Sequence, residues 1–260
     1  MRADALLVKL GYARSREIAK ELIESKSVRI NGKEVKKSSA EYDEQSELFI
    51  DVESAPKYVS RGGYKLEGIL DLLALDVSNS VCIDIGASTG GFTDCLLQRG
   101  VSRVYCVDSG SNQLAPSIAS RKEVCVLEKT NARYLSEEVI PEKADVIVMD
   151  VSFISQTLLH STVIRFLKPE GYFITLIKPQ FELERSALGK GGIVKSRELR
   201  HRAVRRVLES CAATGLYPIA LSESSIKGGD GNTEYTAAFK NSNGEPTDCE
   251  QTLRLLKALD

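Results

Sequence analysis

"DIGASTGGFTDCLLQRG", residues 84–100, is the stretch on which the fold turns. An apolar run ends in Asp84, a loop of small residues follows, and a helix opens near Gly90. Glycines let a backbone approach a ligand closely, and a helix N-terminus offers unpaired N–H groups. The spacing is not G-x-G-x-x-G, so a nicotinamide dinucleotide fingerprint fits poorly. Asp108 sits at the tip of the next apolar run, 24 residues beyond Asp84. A carboxylate there can hydrogen-bond ribose hydroxyls.

Outward from this loop, apolar runs alternate with helical stretches: "VCIDIGA" (81–87), "RVYCVDSG" (103–110), "VCVLEK" (124–129), "ADVIVMD" (144–150) and "YFITLIK" (172–178). Continuous apolar runs separated by helices predict a mostly parallel sheet covered on both faces. "YPIALSESS" and "EYTAAFK", joined by the glycine-rich "IKGGDGNT", predict an antiparallel hairpin at one edge. A parallel sheet closed by such a hairpin is similar to the class I, Rossmann-like methyltransferases, a likeness of fold that fixes no activity.

Composition bounds the rest. The 260 residues suit one large domain with one small one, and a net charge of −1 argues against a surface that grips polyanions everywhere. The six cysteines form no CxxC pair, and Cys82, Cys106 and Cys125 lie in apolar runs. With two histidines in the chain, a zinc site has few ligands to draw on, so no metal is expected. Reduced core cysteines, no apolar leader and no run near the ~18 residues of a membrane span predict a soluble cytoplasmic protein without a membrane partner.

The first fifty residues have their own logic. Ala5, Leu6 and Leu7 begin a short helix that stops at Gly11. Ser15 is a plausible N-cap for a second helix whose stripe is Ile18, Leu22 and Ile23. Asn31-Gly32 then joins two β-type segments, a strong hairpin signal. Up to residue 40 there are ten basic and five acidic residues, which fits either a solvated helix face or a module meeting RNA phosphates. "DVESAPKYVSRGG" reads as a linker. The expected division is 1–52, a linker over 53–62, and 63–260.

Four polar residues occupy positions a core does not normally give them. Lys65 lies at the start of a helix whose apolar side includes Leu66, Ile69, Leu70 and Leu73. Asp150 and Lys178 each end an apolar strand, and Glu234 opens the last one, read as an edge strand. Open α/β sheets bind ligands outside the carboxyl ends of their strands, so Asp150, Lys178 and Glu234 share one rim. Singly, each is equally well a solvated charge or a helix cap.

The phrases that narrow the choice are "SRGGYKL", "DIGASTGGFTDCLLQ", "TNAR", "DVSFIS", "KPQFE" and "GKGGIV". The front end resembles the S4 RNA-binding domain, and "D-x-G-A-x-x-G-G-F" resembles motif I of FtsJ-type RNA methyltransferases. The order Lys65, Asp150, Lys178, Glu234 is similar to the Lys-Asp-Lys-Glu tetrad of FtsJ-like ribose 2′-O-methyltransferases. Over nearly the whole chain the sequence resembles the TlyA/haemolysin A family of rRNA 2′-O-methyltransferases.

That resemblance implies an S4-like RNA-binding domain followed by a domain that uses S-adenosyl-L-methionine, with a cytidine 2′-OH of ribosomal RNA as substrate. It implies cofactor contacts from Asp84, Gly86, Ala87, Ser88, Gly90 and Phe92, with Asp108 on the ribose and Asn131 and Ala132 at the adenine. Arg14, Arg16, Lys20 and Arg29 are the RNA contacts expected in the first domain, Lys190 and Lys195 in the second. Lys178 is the expected base and Lys65 its cationic neighbour, since burial and a nearby ammonium both make a lysine easier to deprotonate. The two acids act in the opposite direction, which leaves the balance open.

The chain starts almost at the S4-like helix, as in the shorter members that modify only the large subunit; a monomer is expected. It departs from the family with "KYV" in the linker, where Arg-x-Trp-Val is common. No Asp/Asn-Pro-Pro-aromatic signature of exocyclic base methylation is present, and no cysteine follows a proline. Two further readings stay in view: a ribosome-binding module with a vestigial cofactor fold, and a haemolysin.

Overall fold

The computed structural model describes residues 1–13, 16–43, 48–50 (backbone), 56–224, 226–228, 231–242 and 254–255. The chain divides into two compact units, Met1–Ser60 and Arg61–Asp260.

In the first unit, α1 (Ala3–Lys9) and α2 (Arg16–Glu24) pack over a small antiparallel sheet of β1 (Val28–Ile30), β2 (Lys33–Glu34) and β3 (Leu48–Ile50), in the order β2-β1-β3. Ile23 of the predicted stripe is buried, Ile18 and Leu22 are half-buried, and Leu6, Leu7, Val28 and Ile30 complete the core. Asn31 and Gly32 both have positive φ, 53° and 74°, as a two-residue hairpin turn with the right twist requires. The predicted cap Ser15 lies outside the described residues. Asp4, in the first turn of α1, is fully buried, and Arg2 and Arg16 donate to its carboxylate.

The second unit runs α3 (Gly62–Leu72), β4 (Val81–Ile85), α4 (Gly91–Gln98), β5 (Arg103–Val107), α5 (Pro116–Ala119), β6 (Val124–Leu127), β7 (Ala144–Met149), α6 (His160–Phe166), β8 (Leu167–Ile177), α7 (Pro179–Glu182), α8 (Arg197–Ala212), β9 (Leu216–Glu223) and β10 (Tyr235–Asn241). Among the described residues these strands form one sheet in the order β6-β5-β4-β7-β8-β10-β9. The five strands from β6 to β8 are parallel, and β10 is antiparallel to both neighbours. Strand order reverses at β4, and the crevice beside such a switch point is where open α/β sheets bind ligands. Core residues Ile83, Ile147, Phe173, Val204 and Phe239 are essentially inaccessible. Full burial of an aliphatic or aromatic side chain of this kind is worth about 1.5–3 kcal/mol.

One expectation is corrected. β10, which Glu234 opens, is not the edge strand; it lies between β8 and β9. Ala237, Ala238 and Phe239 are all fully buried, a pattern of two covered faces, whereas β9 alternates and carries Pro218. Proline cannot donate to a ladder and suits an outer strand. The hairpin therefore folds back so that its second strand is the inner one.

Four described cysteines, Cys82, Cys95, Cys106 and Cys211, are buried and Cys125 is half-buried; Cys249 lies outside the described residues. Burial pushes the Cys82 and Cys106 thiols up, which disfavours thiolate chemistry at both.

Candidate active site

The loop after β4 is shaped by close contact. Gly86 has φ +83°, and a Cβ there would lie 2.5 Å from the carbonyl oxygen of Asp150. Only glycine lets the loop close against the end of β7, where Asp150 N–H also bonds Ile85 O at 3.0 Å. Gly90, at φ +92°, then turns the chain into α4. Ser88 N–H donates to Asp108 Oδ2 at 2.8 Å, and Gly110 N–H donates to Oδ1 at 2.7 Å. The carboxylate at the tip of β5 is thereby fixed by backbone amides, with lone pairs left over for hydroxyl donors.

These loops enclose a cavity of about 380 Å³ at the carboxyl ends of β4, β5 and β7. Of the nine expected cofactor residues, Gly86, Ser88, Asp108, Asn131 and Ala132 line it, and Asp150 joins them. Asp84, Ala87, Gly90 and Phe92 do not. Phe92 is packed into the core, and Gly90 shapes the turn. Asp84 is fully buried, accepting from Thr93 Oγ1 at 2.7 Å, while its Oδ1 has no partner among the described residues. Burial pushes its carboxyl up to about 7 against the opposing Thr93 hydrogen bond, and the charges of Asp150 and Asp108 add to the rise.

The four expected catalytic residues assemble as two ion pairs. Lys65 Nζ donates to Glu234 Oε2 at 2.6 Å, tying α3 to the start of β10. Lys178 Nζ lies 2.6 Å from Asp150 Oδ1 and donates to Ser152 Oγ at 2.9 Å. Tyr235 pairs with Ile177, so Glu234 and Lys178 stand one step beyond the last rung of the same ladder. Lys65 is thus matched by its own carboxylate, which offsets the positive field that a lone ammonium would exert on Lys178.

Ser152, Thr93, Phe153 and Glu182 carry no expectation from the sequence alone. Phe153 is 88% exposed at φ +68°, its ring centroid 5.2 Å from that of Phe181, and it lines the cavity. Glu182 is buried just beyond Lys178. It accepts from Ser155 Oγ and Gln156 N, and Gln156 in turn bonds Thr175 Oγ1 and Leu176 O. Burial raises the Glu182 carboxyl. This network fastens the loop carrying Ser152 to the end of β8. "DVSFIS" and "KPQFE" were the available signals.

Among the expected RNA contacts, Lys20, Lys190 and Lys195 are exposed and Arg29 is half-buried. Arg16 shares Asp4 with Arg2, so part of its donor set is used within the fold; Arg14 lies outside the described residues. Those two guanidiniums hold the Asp4 carboxyl down at about 2.

A family model for FtsJ-like methyltransferases matches residues 58–241, and one for the S4 domain matches residues 1–48. The 16S/23S rRNA (cytidine-2′-O)-methyltransferase TlyA of Mycobacterium tuberculosis is 39% identical over 90% of this chain and 87% of the relative. The chain belongs to the TlyA/haemolysin A family of FtsJ-like methyltransferases. This FtsJ-like methyltransferase is also 32% identical to the 23S rRNA (cytidine-2′-O)-methyltransferase TlyA of Campylobacter jejuni, over 85% of this chain and 92% of that one. A solved structure of a candidate hemolysin from Streptococcus thermophilus superposes with a TM-score of 0.78 at 34% identity, covering 99% of this chain and 94% of the other. No described helix of the FtsJ-like methyltransferase is long and apolar enough to cross a membrane.

Proposed function

We propose that this protein methylates the ribose 2′-oxygen of a cytidine in ribosomal RNA, using S-adenosylmethionine, and that its target lies in the large subunit. The observation that carries the reading is Lys178 paired with Asp150, whose carboxylate lines the same cavity as that of Asp108. The cavity fits the cofactor chemically. Asp108 would take ribose hydroxyls, Ala132 with Val107 and Leu159 offers an apolar wall for an adenine, and the Gly86–Ser88 loop allows close approach.

S-adenosylmethionine, when bound, supplies an electrophilic methyl group whose bond to sulfur breaks as the new bond to oxygen forms. A ribose hydroxyl is a very weak acid, so its proton must leave as the oxygen attacks. Lys178 Nζ is the group placed to take that proton, with Asp150 and Ser152 holding it beside the cavity wall. Lys65 and Glu234 brace the adjoining strand. Everything else is alignment, which alone supplies much of the rate.

The names of the two relatives support the cytidine and the rRNA, and the S4 domain supports an RNA substrate. On this reading the protein acts as a monomer in the cytoplasm, where ribosomes are made. Transfer of labelled methyl groups to unmodified ribosomal subunits tests it. Label is expected in the large subunit with wild-type protein and none with Lys178→Ala; equal incorporation by both removes Lys178 from the mechanism.

A further inference from the structure

The stretch "KGGIVKSRELRHRAVRR", residues 190–206, carries seven Lys or Arg and one Glu in a chain whose net charge is −1. The structure sorts these cations into two sets. Arg200 donates to Tyr235 Oη at 3.1 Å and to Lys195 O at 2.7 Å, and Arg206 donates to Glu182 O at 2.9 Å. Arg200 thereby holds α8 to β10 and Arg206 holds it to α7, while Ala203, Val204, Val207 and Leu208 of the helix are buried. Arg202 and Arg205 belong to the other set. They are exposed, one helical turn apart on the solvent side, with Lys190 and Lys195 exposed beyond the helix start. Between Arg197 and Arg205 the helix face forms a shallow depression of about 530 Å³.

Position gives the patch its direction. Arg200 holds the first turns of α8 to Tyr235, the residue after Glu234, and Val194 N–H donates to Asn232 Oδ1 at 2.9 Å. The basic face therefore begins beside the catalytic rim and leads away along the helix.

We propose that Arg202 and Arg205 form a second RNA-docking surface, within the methyltransferase unit, that holds substrate phosphates flanking the target nucleotide. This rests on the RNA substrate proposed above and adds to it a surface separate from the S4 domain. Phosphates are the fitting partner because the local excess of charge is large, neither guanidinium has a partner among the described residues, and the target ribose lies on a polyanion.

The test uses full-length protein and rRNA. Arg202→Gln/Arg205→Gln is compared with wild type and with Lys122→Gln/Lys143→Gln. Those two exposed lysines precede β6 and β7, at the opposite rim of the sheet. Neutralising two phosphate contacts lowers the slope of log affinity against log salt by about 1.4–1.8 and weakens binding roughly tenfold or more at moderate salt. The expected arginine variant shows both changes, a raised KM for RNA, a preserved kcat and unchanged affinity for S-adenosylmethionine; the lysine control matches wild type. Wild-type slope and affinity in the arginine variant overturn this surface alone, and so does an equal loss in the control. If wild-type protein binds no rRNA, the RNA substrate itself is wrong and this surface falls with it.

Discussion

The two ion pairs of the site are built from the same residue types and differ in what surrounds them. Lys65 and Glu234 are 9% and 3% exposed, and Gly228 lies so close that a Cβ there would sit 2.4 Å from Glu234 Oε1. Lys178 and Asp150 are 12% and 23% exposed; Lys178 also donates to Ser152, and Asp150 and Ser152 line the cavity. The more buried pair joins α3 to the start of β10. An open pair can hand a proton to or from a substrate. On the proposed function, the pair beside the cavity is the one placed for chemistry, and Lys65 with Glu234 supports it from α3.

The largest expected effect falls on the open pair. Lys178→Ala should reduce methyl transfer by about 10²–10⁴, the usual share of general acid–base catalysis, with little change in a urea midpoint. A large loss of stability instead would erase the distinction. Lys65→Ala should show the reverse emphasis, destabilising the fold by about 3–5 kcal/mol because it strands a buried carboxylate. Chemical denaturation of the two variants side by side reads the contrast directly.

Asp84 sharpens the comparison as a buried acid that has no cation. Its carboxyl is raised from 3.8 to about 7, so the folded state holds the proton while the unfolded chain has released it. The resulting stabilisation is full below about pH 4 and fades as pH rises through about 7, by on the order of a few kcal/mol. Asp84→Asn should flatten that slope in urea midpoints measured from pH 5 to 8. An unchanged slope would mean that burial is met some other way.

The smallest effect is the most local. Gly86→Ala forces a Cβ toward Asp150 O and a strained φ, at a cost of about 1–3 kcal/mol. Its consequence should be weaker S-adenosylmethionine binding, measured by calorimetry, with the Lys65–Glu234 pair undisturbed.

Much of this was legible in the chain. The strand ends at Asp150 and Lys178 were visible because apolar runs stop abruptly at a charge, and the helix of Lys65 because Leu66, Ile69 and Leu70 recur at helical spacing. Partner choice was not. Nothing local to Lys65 tells that it meets Glu234, 169 residues away, rather than supporting Lys178. The inner place of β10 was hidden for the same reason: a hairpin can fold back either way round, and burial on both faces decides it. Ser152 and Glu182 are ordinary residues by composition, and their roles exist only where β7 and β8 meet. Ala87 and Phe92 resemble ligand contacts by motif, but a loop motif records the shape of the turn as well as the groups facing the ligand.

The long span of the Lys65–Glu234 contact also sets an order of events in time. A chain emerging from the ribosome can form the S4-like helices and the first parallel strands early, since those contacts are close in sequence. It has no complete tetrad until residue 234 is out and β10 has inserted between β8 and β9. A copy interrupted before that point therefore carries the S4 domain without the completed set of four side chains, however far its first strands have folded.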